Sequence, residues 1–269
     1  MPPLSAIDLA CLVESTEASA YADLMQAAPS DFGVDVDSSE DGVLLSAPCV
    51  DALLFNRMVG LGLRRPATRD AVHKAVERLH ATGVRNFGIQ LSPTATPADT
   101  ADWIGAAGLE RRDNWTKVYR PATPEPTVPT ELRLERAAAN LADRFAAVAC
   151  MGFAMPPALA PWFAASVGRP GWYHYLAWAD DEPVAVAAMF VRDHVGWLGV
   201  AATLPAHRRR GAQGALMVRR IHDGLALGCR WFVTETGQDR PDKPNPSFHN
   251  MRRAGFVVAY DRPNFMLPR

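Results

Sequence analysis

Apolar and polar positions in the C-terminal half of the chain follow two periods. Alternating residues, or short apolar runs between turn residues, predict strands, and apolar residues spaced three to four apart predict helices. The predicted strands cover residues 131–136, 172–178, 184–191, 195–203, 231–236, 256–260 and 265–267. The predicted helices cover residues 141–151, 211–227 and 247–253, and another short helix follows the corner at Pro156-Pro157. The predicted order is β-α-α-β-β-β-α-β-α-β-β.

The N-terminal half repeats part of this pattern. A shift of 145 positions sets Gly83-Val84-Arg85-Asn86-Phe87 over Gly228-Cys229-Arg230-Trp231-Phe232, and the helical run 72–82 over 217–227. A shift of 147 sets Ala107-Gly108-Leu109 over Ala254-Gly255-Phe256. Because these matches share one order and a nearly constant offset, they indicate a duplicated architecture.

The segment between the two halves is a predicted linker. Residues 121–129 hold four prolines, which no helix and no central strand would accommodate. We therefore expect one domain over residues 1–120 and a second over residues 130–269, each of ordinary domain size.

Charge and cysteine content exclude several classes of function. The chain has 28 basic and 29 acidic residues and a formal charge of -1, so no overall field favours nucleic acid or an anionic membrane as a partner. Its four cysteines are far apart and have no histidine at ligand spacing, which predicts buried free thiols and no metal site.

The N-terminus and one uncharged stretch bear on location. Asp8 and Glu14 precede any basic residue, which is the wrong order for a secretory signal, so a cytoplasmic location is expected. Residues 145–168 carry no charge and are long enough to cross a membrane. Prolines at positions 156, 157 and 161 would break such a helix, and two short helices are predicted there instead.

The most informative segment is an arginine-rich turn that leads into the helix predicted over residues 211–227. Pro205 ends the preceding strand, and three consecutive arginines come before Gly211-x-x-Gly214. Backbone N–H groups at the start of a helix lack partners and face the positive end of the macrodipole, so they bind anions well. Arginine side chains add charge-assisted hydrogen bonds to phosphate. The pattern therefore predicts a phosphate cradle.

The segment 205–216 resembles the acyl-CoA loop of the GNAT superfamily of N-acetyltransferases. The family motif Arg/Gln-x-x-Gly-x-Gly/Ala falls on Arg208, Gly211 and Gln213. Gln213 departs from the small residue of the motif, although its backbone N–H remains and Gly214 follows. The run Ala254-Gly255-Phe256 is similar to the late Gly-Phe signature of the family, and the resemblance covers about residues 130–269.

The resemblance implies an α/β (α+β) fold built from tandem GNAT-like modules, each with a mixed, mostly antiparallel sheet flanked by helices. At the 145-residue offset, Pro66 stands at the position of Gly211, Thr68 at that of Gln213 and Arg69 at that of Gly214. Proline removes an amide donor and both glycines are lost, so the first half resembles a degenerate module with a structural role.

The function that the resemblance implies is N-acyltransfer. An acetyl (acyl) group would pass from acetyl-CoA directly to a primary amine in a ternary complex, the acceptor being a small amine or a peptide amine and the protein a monomer or homodimer. The alternative is a non-catalytic acyl-CoA-binding sensor or partner protein, because Met251 stands where many family members place a tyrosine acid. Nucleotide binding through the same loop is a less well supported hypothesis, since the sequence contains no P-loop or dinucleotide fingerprint.

Site residues follow from the same resemblance. Glu235 is the candidate base, His249 and His207 are alternatives, Tyr260 is a substitute acid, and a water-relayed route stays open. One or more of the aromatic residues Trp162, Phe163, Trp172, Tyr173, Tyr175 and Trp178 would line the acceptor pocket. The cofactor-binding candidates are Ala201, Ala202, Thr203, Arg208, Arg209, Arg210, Gly211, Ala212, Gln213, Gly214, Ala215 and Asn250.

Overall fold

The structure is a computed structural model that describes residues 4–124 and 127–269. Glu125 and Pro126 of the predicted linker lie outside the described residues. The N-terminal half contains α1 (Ala6–Gln26), β1 (Asp35–Ser39), β2 (Gly42–Ser46), β3 (Arg57–Val59), α2 (Arg69–Ala81), β4 (Gly88–Gln90), α3 (Thr100–Ala106) and β5 (Glu110–Pro121). The C-terminal half contains β6 (Arg133–Arg136), α4 (Ala142–Phe153), α5 (Ala160–Ser166), β7 (Trp172–Ala179), β8 (Glu182–Arg192), β9 (Val195–Thr203), α6 (Ala212–Ala226), β10 (Trp231–Gly237), α7 (Pro246–Arg253) and β11 (Val257–Met266).

The duplicated architecture is confirmed. The order β3-α2-β4-α3-β5 recurs as β9-α6-β10-α7-β11, and the sheet is mixed and mostly antiparallel, with helices on its faces. The two short helices at the proline corner are also confirmed as α4 and α5. In the described residues, no helix is long and apolar enough to span a membrane.

The two halves exchange their last strands within one sheet of 11 strands. The strand order is β1-β2-β3-β4-β11-β5-β10-β9-β8-β7-β6. Strand β11 pairs with β4 of the first half, and β5 pairs with β10 of the second half. One hydrogen-bonded sheet therefore runs through both halves of the chain. The division into two domains at residues 121–129 stays a prediction.

Two predictions about the chain were wrong in detail. The closing strands expected at 256–260 and 265–267 form the single strand β11, whose ladder with β5 continues past Pro263 through a register shift that accommodates the missing N–H. Cys49 is exposed in the turn after β2, whereas Cys150 and Cys229 are buried as expected. All four thiols are free.

Five charged side chains are buried where α1 meets the exchanged strands, and a sixth, Glu235, has a side chain that is 9% exposed. Glu14 and Glu17 lie on α1, and the other members come from four strands: Arg57 of β3, Lys117 of β5, Glu235 of β10 and Arg262 of β11. The three carboxylates and three cations balance. We call this set the buried charge cluster.

Glu17 lies at the centre of the buried charge cluster. Its carboxylate is 2.9 Å from Arg57 Nη2 and accepts hydrogen bonds from Lys117 Nζ (2.5 Å) and from both Nη atoms of Arg262 (2.7 and 3.0 Å). Burial acts to raise the pKa of Glu17, but Arg262, Lys117 and Arg57 outweigh it and hold the pKa well below its usual range. The cluster therefore joins both halves of the chain through one ionised group.

Replacing Glu17 tests whether the buried charge cluster stabilises the contact between the two halves. We expect Glu17→Gln to lower the free energy of unfolding by about 3–5 kcal/mol, because it leaves buried cations without a counter-charge. Urea denaturation at neutral pH measures the change, and Glu77→Gln on the exposed face of α2 is the control, with an expected change within about 0.5 kcal/mol.

The stabilisation by Glu17 should also depend on pH. A depressed native pKa means that its contribution is complete above the unfolded-state pKa of about 4.3 and is lost as the pH falls. Denaturation of the wild type and of Glu17→Gln at descending pH should show the two stabilities converging in acid, and a gap that stays constant would contradict this role.

Candidate functional site

The site begins where two parallel strands separate. Strands β9 and β10 pair from Val195 and Trp231 as far as Trp197 and Val233. One further link follows, a hydrogen bond of 2.6 Å that Thr234 Oγ1 donates to the carbonyl oxygen of Leu198. Beyond it, β9 continues along β8 and β10 along β5. A V-shaped gap therefore opens at the carboxyl ends of β9 and β10.

A β-bulge shapes one side of this gap. The β8–β9 register shifts between Ala188↔Gly199 and Val186↔Ala202, and Val200 within the bulge has a φ of 46°. Two residues of β9 thus face one residue of β8, which re-aims the backbone around Ala201 toward the gap.

Arg220 of α6 supports the bulge from the helix side. It is 2% exposed and donates hydrogen bonds to the carbonyl oxygens of Ala188 (2.9 Å), Gly199 (3.3 Å) and Leu216 (3.1 Å). Burial lowers the pKa of Arg220 to about 10, and no ion pair to it occurs within residues 4–124 and 127–269. Its positive charge is therefore held by backbone carbonyls at the base of the bulge.

The arginine-rich turn and the start of α6 form the mouth of the gap. Gly211 is the N-cap of α6 with a φ of 79°, and Ala215 N–H donates to Gly211 O at 3.0 Å. The N–H groups of the first helical turn therefore have no intrahelical acceptor. Arg208, Arg209 and Arg210 are exposed around them, as a phosphate cradle requires.

The linker approaches the same helix end. A Cβ on Gly214 would lie 3.2 Å from Val128 Cγ1, and one on Gly211 would lie 3.3 Å from Pro129 O. A side chain at Gly214 would therefore fill the space between the linker and the first turn of α6.

Gln213, which departs from the motif, turns its side chain away from the cradle. Its Nε2 donates to Ser247 Oγ at 2.7 Å, and its Oε1 accepts from Asn250 Nδ2 at 2.5 Å. The larger side chain thus ties α6 to α7, while its backbone N–H stays in the first turn of the helix. Asn250 is held by the same contact.

Two connected cavities occupy the gap. An open groove of about 940 Å³ contains most of the predicted cofactor-binding residues, among them Ala201, Thr203, Gly211 and Asn250. A smaller cavity of about 280 Å³ lies deeper. Phe153, Ala201 and Gln213 line both, so the groove leads into the cavity at the bulge.

Both halves of the chain supply the walls of the deeper cavity. The N-terminal half contributes Tyr21, Leu24, Leu54, Phe55 and Trp115, and the C-terminal half contributes Phe163, Trp197, Met217, Glu235 and Met251 among others. Of the aromatic residues expected to line an acceptor pocket, Phe163 does so, whereas Trp162, Trp172, Tyr175 and Trp178 are buried in the core. Sequence reasoning missed the entire N-terminal wall.

Glu235 connects this cavity to the buried charge cluster. Its Oε2 accepts hydrogen bonds from Lys117 Nζ and from Arg262 Nη2, each at 2.7 Å. Its Oε1 is 3.6 Å from Arg57 Nη1 and has no hydrogen-bond partner among the described residues. Burial, together with the neighbouring Glu17, raises the pKa of Glu235 despite the three cations. The result is a carboxylate with one oxygen held by two hydrogen bonds and one oxygen that is ion-paired with Arg57 but accepts no hydrogen bond among the described residues.

The other predicted catalytic residues lie elsewhere. Tyr260 donates a 2.8 Å hydrogen bond to Glu14 Oε1 and lines neither cavity; burial and Glu14 raise its pKa. His249 is half-exposed, with Nε2 3.3 Å from Asp239. His207 lines the groove, and its Nδ1 lies 3.2 Å from Arg210 Nη1.

Sequence signals for the missed residues did exist. Glu14 and Glu17 stand three positions apart in the first helix, on the same side as the apolar residues Ala10, Val13, Tyr21 and Leu24, so both fall on one largely apolar helical face. Carboxylates on an apolar face indicate buried, paired groups. Their partners on β3, β5 and β11 could not be identified without the sheet order. The described residues contain no group of three or more His, Cys, Asp or Glu arranged to hold a metal.

The equivalent gap in the first half is closed. Ala67 N–H donates to Thr96 O at 2.7 Å, and Thr96 N–H donates to Gly62 O at 2.9 Å, so the loops after β3 and β4 stay joined. Thr68 caps α2 by accepting a 3.1 Å hydrogen bond from Ala71 N–H. In the first half, hydrogen bonds within the chain therefore close the position that corresponds to the open groove of the second half.

Comparison with family models identifies a domain in the C-terminal half. Residues 143–260 match the model of the acetyltransferase (GNAT) family. No curated protein gives a significant match.

Solved structures match nearly the whole chain. A GCN5-related N-acetyltransferase from Kribbella flavida aligns at 18% identity over 96% of each chain, with a TM-score of 0.64. A tandem GNAT protein from the clavulanic acid biosynthesis pathway aligns at 18% identity over 98% of this chain and 96% of its own, with a TM-score of 0.59. A GCN5-related N-acetyltransferase from Sphaerobacter thermophilus aligns at 14% identity over 86% of this chain and 74% of its own, with a TM-score of 0.58. These likenesses establish a tandem fold.

Removal of the Arg220 guanidinium should destabilise the bulge. We expect Arg220→Met to lower the free energy of unfolding by about 2–4 kcal/mol, because buried carbonyls lose their donors. Chemical denaturation measures the change. Arg219→Met is the adjacent control; it removes only the partly exposed pair with Asp223, for which about 0–1 kcal/mol is expected. Equal losses in the two variants would contradict the role of Arg220.

Proposed function

We propose that this chain, whose residues 143–260 form a domain of the GNAT acetyltransferase family, is an N-acyltransferase that moves an acetyl group from acetyl-CoA to a primary amine. One observation carries the proposal. The V-shaped gap joins a cradle of helix N–H groups and arginines at its mouth to a buried carboxylate at its inner end. A thioester held in the groove would thus reach the acceptor cavity at the bulge.

The groove fits the pyrophosphate of CoA. The first turn of α6 supplies unpaired N–H groups and the positive end of the helix dipole, and the exposed arginines supply charge. Gly214 leaves the backbone accessible beside Val128. We assign Arg208, Arg209, Gly211, Gln213 and Gly214 to the pyrophosphate, Ala201 to Thr203 to the adjoining chain of the cofactor, and Ala212 and Asn250 to the surrounding wall. Two predicted cofactor-binding residues, Arg210 and the buried Ala215, do not line the groove.

The bulge and Arg220 position the reacting carbonyl. Acetyl-CoA supplies an acyl carbon activated as a thioester. The backbone N–H near Ala201 donates to the oxygen of that carbonyl, on which negative charge develops during attack. Arg220 holds the carbonyls of Ala188 and Gly199 on the opposite side of the strand, which keeps the amide direction fixed.

Glu235 is the proposed base. An amine arrives as an ammonium ion, which must lose a proton before its nitrogen can attack, and Glu235 Oε1 accepts that proton. The C–N bond forms, the C–S bond breaks, and the thiolate leaves as CoA thiol by taking a second proton from the amide nitrogen. The products are an N-acetylated amine, CoA and one proton released from Glu235 to solvent.

Calorimetry with acetyl-CoA tests the cradle. We expect one binding site per chain, and we expect Gly211→Pro to weaken binding at least about tenfold, because proline deletes an amide donor and cannot adopt the positive φ. The matched control is Pro66→Gly at the equivalent position of the first half, which should leave one site of unchanged affinity. Two sites in the wild type, or unchanged binding by Gly211→Pro, would refute this assignment.

Kinetics of thiol release test the base. We expect Glu235→Gln to lower kcat by about 100-fold or more, since general-base contributions are of that order, while the Kd for CoA stays within about threefold. Glu182→Gln, at the exposed first residue of β8, is the control. Because the base acts only when ionised and its pKa is raised, wild-type kcat/KM should fall as the pH drops through that pKa, and the variant should lose this dependence.

A further inference from the structure

The deeper cavity is lined mainly by apolar side chains. Its N-terminal wall consists of Tyr21, Leu24, Leu54, Phe55 and Trp115, and Phe163 and Trp197 face it from the C-terminal half. The uncharged polar side chains Gln213, Thr234, Thr236 and Ser247 all come from the C-terminal half, so a polar substituent placed against the N-terminal wall would lose water and find few partners. Apolar carbon and aromatic rings gain contact instead.

The charged residues at the cavity favour a ligand with one positive charge. Glu235 is the single carboxylate among the described residues that line it. Around that carboxylate stand Lys117, Arg57 and Arg262, with Arg57 Cζ 4.4 Å from the centre of the Tyr21 ring. No second carboxylate among the described residues lines the cavity, so a second ammonium group would find no counter-charge there.

The size of the cavity also limits the acceptor. At about 280 Å³, it lies near the lower limit of the roughly 300–1,000 Å³ typical of small-molecule sites. An aromatic ring with a short alkyl chain fits that space.

From these three observations we infer that the acceptor is a monocationic arylalkylamine, with its nitrogen at Glu235 Oε1 and its ring against Tyr21, Phe55 and Trp197. This inference rests on the proposed function and narrows its substrate class. It excludes polyamines and peptide N-termini as preferred acceptors. The exchanged N-terminal half then determines acceptor choice, because it supplies most of the apolar wall.

Competition between amines tests the inference. Thiol release is measured for phenethylamine and tryptamine against cadaverine and triglycine, and we expect kcat/KM to favour the arylalkylamines by about 100-fold. Titration of the same amines into protein saturated with CoA gives the binding preference independently of turnover. A cadaverine or triglycine value within about threefold of phenethylamine in both measurements would overturn the inference.

A negative charge introduced into the N-terminal wall of the cavity tests whether the acceptor is selected by its charge. Leu54 is half-buried and lines the cavity. Leu54→Asp should reduce the preference for phenethylamine over cadaverine at least about tenfold, whereas the uncharged Leu54→Asn should reduce it much less. Equal effects of the two variants would contradict selection by charge.

Failure of the proposed acyltransferase function and failure of the proposed acceptor class would give different results. CoA binding without thiol release from any amine would overturn the proposed function, and the titrations would still decide whether the cavity selects arylalkylamines. Turnover that prefers cadaverine would leave the acyltransferase proposal intact and overturn only the acceptor class.

Discussion

The arrangement of this protein depends on a buried cluster of three carboxylates and three cations. Removing charged groups from water is costly, and such a cluster is tolerated only when every charge is compensated. Glu17 provides this compensation for Arg57, Lys117 and Arg262, which come from three different strands. The cluster therefore links the exchange of β5 and β11 to the environment of Glu235.

Because of the strand exchange, the first half contributes to the cavity of the second half. In the second half, β9 and β10 separate after Thr234 and leave a groove. In the first half, the loops after β3 and β4 are joined through Ala67, Thr96 and Gly62. The first half has thus lost an open groove of its own, while its first helix and the segment before β3 form a wall of the cavity in the other half. The N-terminal half shapes the acceptor side of the site.

The two ends of the site are electrostatically opposite. The mouth is formed by exposed arginines and unpaired helix N–H groups, which attract an anion from solvent without a large desolvation cost. The inner end is the carboxylate of Glu235, whose pKa is raised by burial and by Glu17 despite three neighbouring cations. Between them, Arg220 holds the bulge through carbonyl oxygens and carries no counter-ion in the described chain. In the proposed function, this polarity would orient an anionic donor and a cationic acceptor toward the same point.

The sequence by itself determined what depends on neighbours along the chain. The helical and strand periods, the proline corner, the turn 208–214 and the repeat at an offset of 145 are local signals, and they predicted the tandem fold and the cofactor loop. They also placed Glu235 at the end of a strand. Only the tertiary structure decided that β11 continues past Pro263 as one strand between β4 and β5, that Tyr260 faces Glu14, and that Tyr21 and Phe55 line the cavity. These contacts join residues far apart in the chain, and their energies depend on burial and charge balance, which no local pattern contains.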